Sequence, residues 1–313
     1  MSRIRVRRST SLWAVWAALL VGPLVQVGFA VAEGLEAVNG TELWVKRMGS
    51  GEPILVVHGG PVLEHGYLLP HLAPLAEDYE LIFFDQRLSG RSAPEVEEGS
   101  IRLTDFVEDI EALRVALKLE RIHLMAHSWG GLLAMRYAVR FEPNLRSLIL
   151  LDSMAASSAL WQAEQETVVE GVTEEDKLER QEIMATEAFA ARRPEAIEQL
   201  LRLSFKAQFH DPAKLGDLEL YVPEDYSERS RRFGKLGPEL ESFDLHAELK
   251  ALRVPTLVLY GDAEPGAALG GKAIHEALEG SEFVLIEEAG HFPFIEQSDA
   301  FLSAVRKFLA ALP

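Results

Sequence analysis

The 313-residue chain contains no cysteine. That excludes disulfides, a thiolate nucleophile, cysteine-ligated metals and lipid attachment of the lipoprotein kind. Cations are also scarce: 31 Lys and Arg stand against 49 Asp and Glu, leaving a formal charge of −18. A chain this acidic repels the phosphates of nucleic acid and of anionic lipid. The surplus acid serves solubility, and some of it is available to attract a cationic substrate group. There is no internal repeat and no low-complexity tract. What remains is a globular composition, 48% hydrophobic and 26% charged, with enough length for one large α/β domain carrying an insertion.

The first 32 residues stand apart. Arg3, Arg5, Arg7 and Arg8 form a basic start. An apolar stretch runs from Leu12 to about Ala32, broken by Gly22-Pro23, and ends in Ala30-Val31-Ala32 before Glu33. This is the anatomy of a secretory signal peptide. An uncleaved signal anchor is the alternative, since the run approaches the roughly 20 residues that a membrane helix needs. The expectation is an exported protein, periplasmic or extracellular, that touches a membrane only through this segment if it is retained. Its removal carries the net charge from −18 to −22, because the segment holds four Arg and no acid.

Further on, Leu35–Val38, Asn39-Gly40 and Thr41–Lys46 read as a hairpin, with Asn-Gly supplying the turn. Apolar runs at 53–57, 80–84, 122–125, 148–151, 255–260 and 282–286 read as strands. Leu103–Leu119 has helical spacing with Thr104 as a candidate N-cap, and 267–279 and 298–311 look like amphipathic helices. Alternating strands and helices imply a mainly parallel sheet covered on both faces. The rhythm breaks between Ser153 and about Lys250, where about 95 residues show helical periodicity and no strand. The division expected is a core at 33–153, a helical cap at 154–250 and the rest of the core at 251–313.

The chemistry concentrates at Ala126-His127-Ser128-Trp129-Gly130-Gly131, between the strand ending at Met125 and a helical run starting at Leu132. A small-x-Ser-x-Gly unit in that setting is the tight turn on which α/β-hydrolases lift a serine hydroxyl clear of its neighbours. A serine needs a base, an orienting acid and donors for the oxyanion. His291, in Ala289-Gly290-His291-Phe292, follows the last strand and is the candidate base. His127 is a poor one, because adjacent side chains on such a turn diverge. The acid lies in Gly261-Asp262-Ala263-Glu264, where Asp262 and Glu264 compete. The oxyanion donors are the N–H of Trp129 and one from His58-Gly59-Gly60-Pro61, with Gly60 chosen; Pro61 has no N–H. His58 reads as structural.

These residues resemble the α/β-hydrolase superfamily and, more narrowly, the proline iminopeptidase-like serine peptidases. The resemblance is carried by His58-Gly59-Gly60-Pro61, Asp85-Gln86-Arg87-Leu88-Ser89-Gly90-Arg91-Ser92, Ser128-Trp129-Gly130-Gly131 and Gly290-His291-Phe292, across about 35–155 and 250 onward. It implies an α/β-hydrolase fold, a triad acid three residues past the strand-ending glycine, which is Glu264, and a structural role for Asp85 and Arg87. The family has Gly where this chain has Val62, Leu88 and Ala126, and its triad acid is usually Asp. No stretch of the cap matches its amine-binding glutamates.

The reading is therefore a serine hydrolase acting on an ester or amide through an acyl-enzyme, with a small molecule or short peptide as substrate and no metal or organic cofactor. Proline iminopeptidase-like aminopeptidase comes first. A carboxylesterase or lactonase for small apolar substrates is the rival, and a non-catalytic binding protein on the same fold belongs to a different class. An epoxide hydrolase or dehalogenase would carry Asp at position 128.

Overall fold

The computed structural model describes residues 32–312. The leader expected at the N-terminus falls, but for Ala32, outside the described residues. Ala32 itself is the first residue of a strand and pairs with Arg47. No helix among the described residues is long and apolar enough to cross a membrane.

Eight strands form one sheet in the order β1-β2-β4-β3-β5-β6-β7-β8. They are β1 (Ala32–Val38), β2 (Thr41–Gly49), β3 (Glu52–Val57), β4 (Tyr79–Phe84), β5 (Ile122–His127), β6 (Leu145–Leu151), β7 (Thr256–Gly261) and β8 (Glu282–Ile286). The first two make the expected hairpin. Asn39 and Gly40 both take positive φ, 44° and 72°, as a two-residue turn matching strand twist requires. From β3 to β8 the pairing is parallel. Every residue of β5 and β7 is buried, so helices must cover both faces.

The longer helices are α1 (Leu103–Ala116), α2 (Trp129–Phe141), α3 (Ser158–Glu170), α4 (Glu174–Met184), α5 (Pro194–Lys206), α6 (Tyr226–Phe233), α7 (Gly237–Glu241), α8 (Lys272–Ala277) and α9 (Ser298–Ala310). Two apolar cores sit on opposite faces of the sheet. One packs α1 and α2 through residues such as Phe106, Ile110, Leu133 and Tyr137; the other packs α9 through Phe301, Val305 and Phe308. Helices α3 to α7 occupy the interval between β6 and β7.

Thr104 does not cap α1. The helix begins at Leu103, and no side chain of its own flanking residue caps it. The Leu103 N–H instead donates to both carboxylate oxygens of Glu239 on α7, at 3.3 Å each. The cap thus supplies the acceptor that a local residue usually gives. The helix expected over 267–279 is a wide turn at Ala267–Gly271 followed by α8.

Candidate active site

The parallel strands end on one edge of the sheet, and the chain's reactive residues collect there. Ser128 sits between β5 and α2 with φ 54° and ψ −124°, outside the regions an L-residue prefers. Its own backbone holds the strain. The Ser128 N–H donates to Leu151 O at 3.0 Å, and its carbonyl accepts from Gly131 and Met154 at 2.8 and 2.9 Å. The space is as tight as the motif implies: a Cβ on Gly130 would stand 2.5 Å from Val57 O.

His291 Nε2 lies 3.0 Å from Ser128 Oγ. Behind it, Nδ1 stands 3.4 Å from Glu264 Oε2. Of the two competing carboxylates, Glu264 is buried at this point and Asp262 is exposed. Asp262 accepts from the Ala289 N–H at 3.4 Å and steadies the loop. Gly60 and Trp129 line the same cavity as Ser128, and the N–H of neither donates elsewhere among the described residues.

The histidine's backbone is fixed at three points. The His291 N–H donates to Gln208 O at 2.8 Å. The Gly290 N–H donates to Glu296 Oε2 at 2.7 Å, whose other oxygen accepts from the Asp211 N–H at 2.8 Å. The His291 carbonyl lies 2.9 Å from His127 Nε2. A carbonyl only accepts, so His127 carries its proton on Nε2 and presents a bare Nδ1 to the Tyr67 hydroxyl at 2.7 Å. Tyr67 in turn accepts from the Gly59 N–H at 2.7 Å. Burial, then the nearby His291, holds the His127 ring well below the ordinary histidine range, so it stays neutral as this chain of bonds needs.

The Asp-Gln-Arg loop braces the site from below. Gln86 donates its side-chain N–H to His58 O at 2.7 Å, accepts from Trp129 Nε1 at 2.9 Å, and donates its backbone N–H to His58 Nε2 at 3.1 Å. His58 is structural and neutral: burial pushes its pKa down to about 4. Arg87 and Asp109 form a bidentate pair at 2.5 and 2.6 Å, both fully enclosed. Burial raises the Asp109 carboxyl and the Arg87 bonds oppose that; the two-fold contact is what a carboxylate, rather than a carboxylic acid, makes. Val62 and Leu88, where the similar family has glycine, both take positive φ, 69° and 63°. Such strain costs on the order of 1–3 kcal/mol at each residue.

Above the serine the cap closes a cavity of about 400 Å³. Its apolar wall comes from Trp161, Val168, Leu201, Phe205, Phe233 and Leu240. Two carboxylates that the sequence reading missed also face it, Asp152 and Glu164. Asp152 directly follows β6, and a carboxylate at the C-terminal end of a parallel strand was the available signal. Glu164 lies on α3 and accepts from the Gly270 N–H at 2.9 Å. Burial, against that bond, pushes its pKa up to about 7.

A family profile described as alpha/beta hydrolase fold matches residues 52–298. The chain belongs to this family. The narrower resemblance also finds its counterpart. A proline iminopeptidase of Lacticaseibacillus rhamnosus is 28% identical over 268 residues, covering 82% of this chain and 89% of its own. Among solved structures, a proline iminopeptidase-related protein from Thermus thermophilus superposes with a TM-score of 0.67 at 26% identity, covering 90% of this chain and 98% of its own. A thermophilic esterase from Thermogutta terrifontis superposes with a TM-score of 0.61 at 25% identity, covering 90% of this chain and 99% of its own.

Proposed function

We propose that this hydrolase works through a Ser128–His291–Glu264 triad and cleaves the N-terminal residue from short peptides, as a proline iminopeptidase-like aminopeptidase. The observation that carries the reading is the 3.0 Å contact between Ser128 Oγ and His291 Nε2 with a buried carboxylate behind the ring. As Oγ attacks the scissile carbonyl, His291 takes its proton. The N–H groups of Gly60 and Trp129 stabilise the oxyanion; losing one such donor costs about 100- to 1000-fold in rate. His291 then protonates the departing amine, and water, deprotonated by the same ring, releases the acyl group.

Glu164 supports the peptide over the ester. It is a cap carboxylate lining the same cavity, and a substrate's α-ammonium placed beside it would favour its ionised form. The apolar cap wall is the observation that favours the rival, a carboxylesterase or lactonase. A panel of proline- and alanine-anilides beside short acyl esters decides between them. Preference for anilides, with Ser128→Ala abolishing turnover in a folded protein, is the expected result. Ester turnover alone gives the rival. Full turnover by Ser128→Ala sinks the triad, and no reaction of the wild type with any substrate leaves a binding protein.

Export rests on the pattern of residues 1–32 alone. A secreted protein whose N-terminal sequence starts at Glu33 is the expected finding.

A further inference from the structure

We propose that the cap carries a second binding groove, adjoining the catalytic cavity, that takes the C-terminal part of a short peptide and holds its free carboxylate on Arg180 and Arg192. The inference rests on the aminopeptidase reading given above and names its substrate class, unblocked oligopeptides. The groove has a volume of about 790 Å³ and is walled by α4, α5, α6 and the segment 189–192. Two residues belong both to its wall and to that of the catalytic cavity: Leu201 on α5 and Tyr226 at the start of α6. Neither is fully buried. A peptide too long for the catalytic cavity has this groove as the neighbouring space.

The groove's charge runs against that of the whole protein. Three arginines line it, Arg180, Arg192 and Arg231, against one acid, Glu228. Glu228 is already paired with Arg231 at 2.5 Å. Arg180 and Arg192 form no ion pair among the described residues. Arg180 reaches only the Ser204 hydroxyl, at 3.3 Å, and Arg192 lies over the Phe189 ring at 5.1 Å. In a chain with 49 acids and 31 Lys and Arg, two guanidiniums without a carboxylate in one groove are an exception. The guanidinium fork is the shape that grips a carboxylate two-fold.

Tyr226 is the second uncommitted group. Burial pushes its hydroxyl up to about 12, and no hydrogen bond within the protein offsets that. The hydroxyl therefore keeps its proton and can donate to a peptide carbonyl between the two spaces. The catalytic cavity thus presents the acid Glu164, and the groove beside it presents cations. An unblocked peptide carries the complementary pair, an ammonium at one end and a carboxylate at the other. A simple ester or lactone carries neither.

The test compares alanine oligopeptides of about two to six residues with their C-terminal amides, a span of lengths that brackets both spaces. Each rate is set against that of alanine anilide with the same enzyme. Wild type should favour the free acid by about tenfold in kcat/KM at the lengths that reach the groove, the effect of two exposed ion pairs. The difference should lie in KM. The double variant Arg180→Gln/Arg192→Gln should lose the preference. Arg193→Gln removes an adjacent exposed charge that does not line the groove, and should keep it. Equal cleavage of acid and amide at every length overturns the proposal. So does a preference that survives the double variant, or one that Arg193→Gln abolishes as well. Each of these outcomes leaves anilide turnover standing and so spares the aminopeptidase reading. Turnover of esters with no anilide or peptide cleaved sinks that reading, and the groove's part in it.

Discussion

Replacing Gly290 with alanine should disable the enzyme without unfolding it. Gly290 does not need glycine for its backbone angles, since it has no positive φ. It needs glycine for space. A Cβ there would lie 2.2 Å from the Gln208 carbonyl oxygen and 3.0 Å from the His210 nitrogen, both backbone atoms. Ordinary contact begins at 3.4 Å, so the loop or the cap segment at Gln208 must give way by about 1.2 Å. The next residue is His291, whose N–H bonds to that same Gln208 carbonyl. Displacing a reacting group by about 1 Å costs about 100-fold in rate. The expected loss is therefore about two orders of magnitude in kcat/KM on an acyl ester or anilide. The urea midpoint should shift only as far as the strain in this one loop allows. Gly171→Ala is the control: its Cβ would meet its nearest atom at 3.4 Å, and no effect is expected. A Gly290→Ala enzyme within threefold of wild type would refute the claim that the cap backbone holds the histidine in place.

Arg87→Leu should lower stability by about 3–5 kcal/mol, because Asp109 is left charged and enclosed, with only Asn39 donating to it from a side chain at 2.9 Å. Urea unfolding measures the loss, and the double variant Arg87→Leu/Asp109→Leu should recover most of it; no recovery would mean the damage is in packing rather than charge. Stability should also fall with acid through His58. Its pKa is about 4 in the fold against an ordinary value of 6.5, so the unfolded chain takes a proton first as pH drops. Stability present above pH 6.5 is then lost between 6.5 and about 4, on the order of 3 kcal/mol in all. Asp152 pulls the other way, since a carboxyl that keeps its proton in the fold favours folding at lower pH. The readout is therefore the difference in pH slope between wild type and His58→Asn, and equal slopes would refute the assignment.

The fold was legible because buried parallel strands leave a plain mark. Runs such as Leu257–Tyr260 are apolar throughout, and Gly, Pro and Asn punctuate them. Ser128 and His291 were legible for a related reason: each ends or follows such a run, beside small residues that a crowded turn demands. The residues of Gly261–Glu264 left two carboxylates open, and the family resemblance pointed to Glu264, the buried one. Long-range partners left no mark. Nothing near Leu103 says that Glu239, far along the chain, accepts from its N–H, so Thr104 looked like the cap. Asp152 reads as an ordinary turn residue after a strand until burial strips one of its oxygens of partners. The positive φ of Val62 and Leu88 was half-visible, since both replace a family glycine. The helical character of the cap was clear from its periodicity. Its docking was not, because Arg229 and Arg232 reach across to the carbonyls of Ser92 and Pro94 at 3.1 and 2.8 Å.

The bond from the His291 N–H to the Gln208 carbonyl has a bearing on how such proteins diversify. Phe292 stacks on Phe209 with ring centroids 4.7 Å apart, and Glu296 joins Gly290 to Asp211. The inserted segment is thus not an interchangeable module clipped over a finished machine. A cap transplanted from another hydrolase would bring a new cavity wall and, unless it also brought a carbonyl to this point, would leave His291 without its mooring. Changes in what the enzyme accepts are coupled to changes in how fast it reacts, and exchange of the whole segment is a harder route to new substrates than point changes along its inner face.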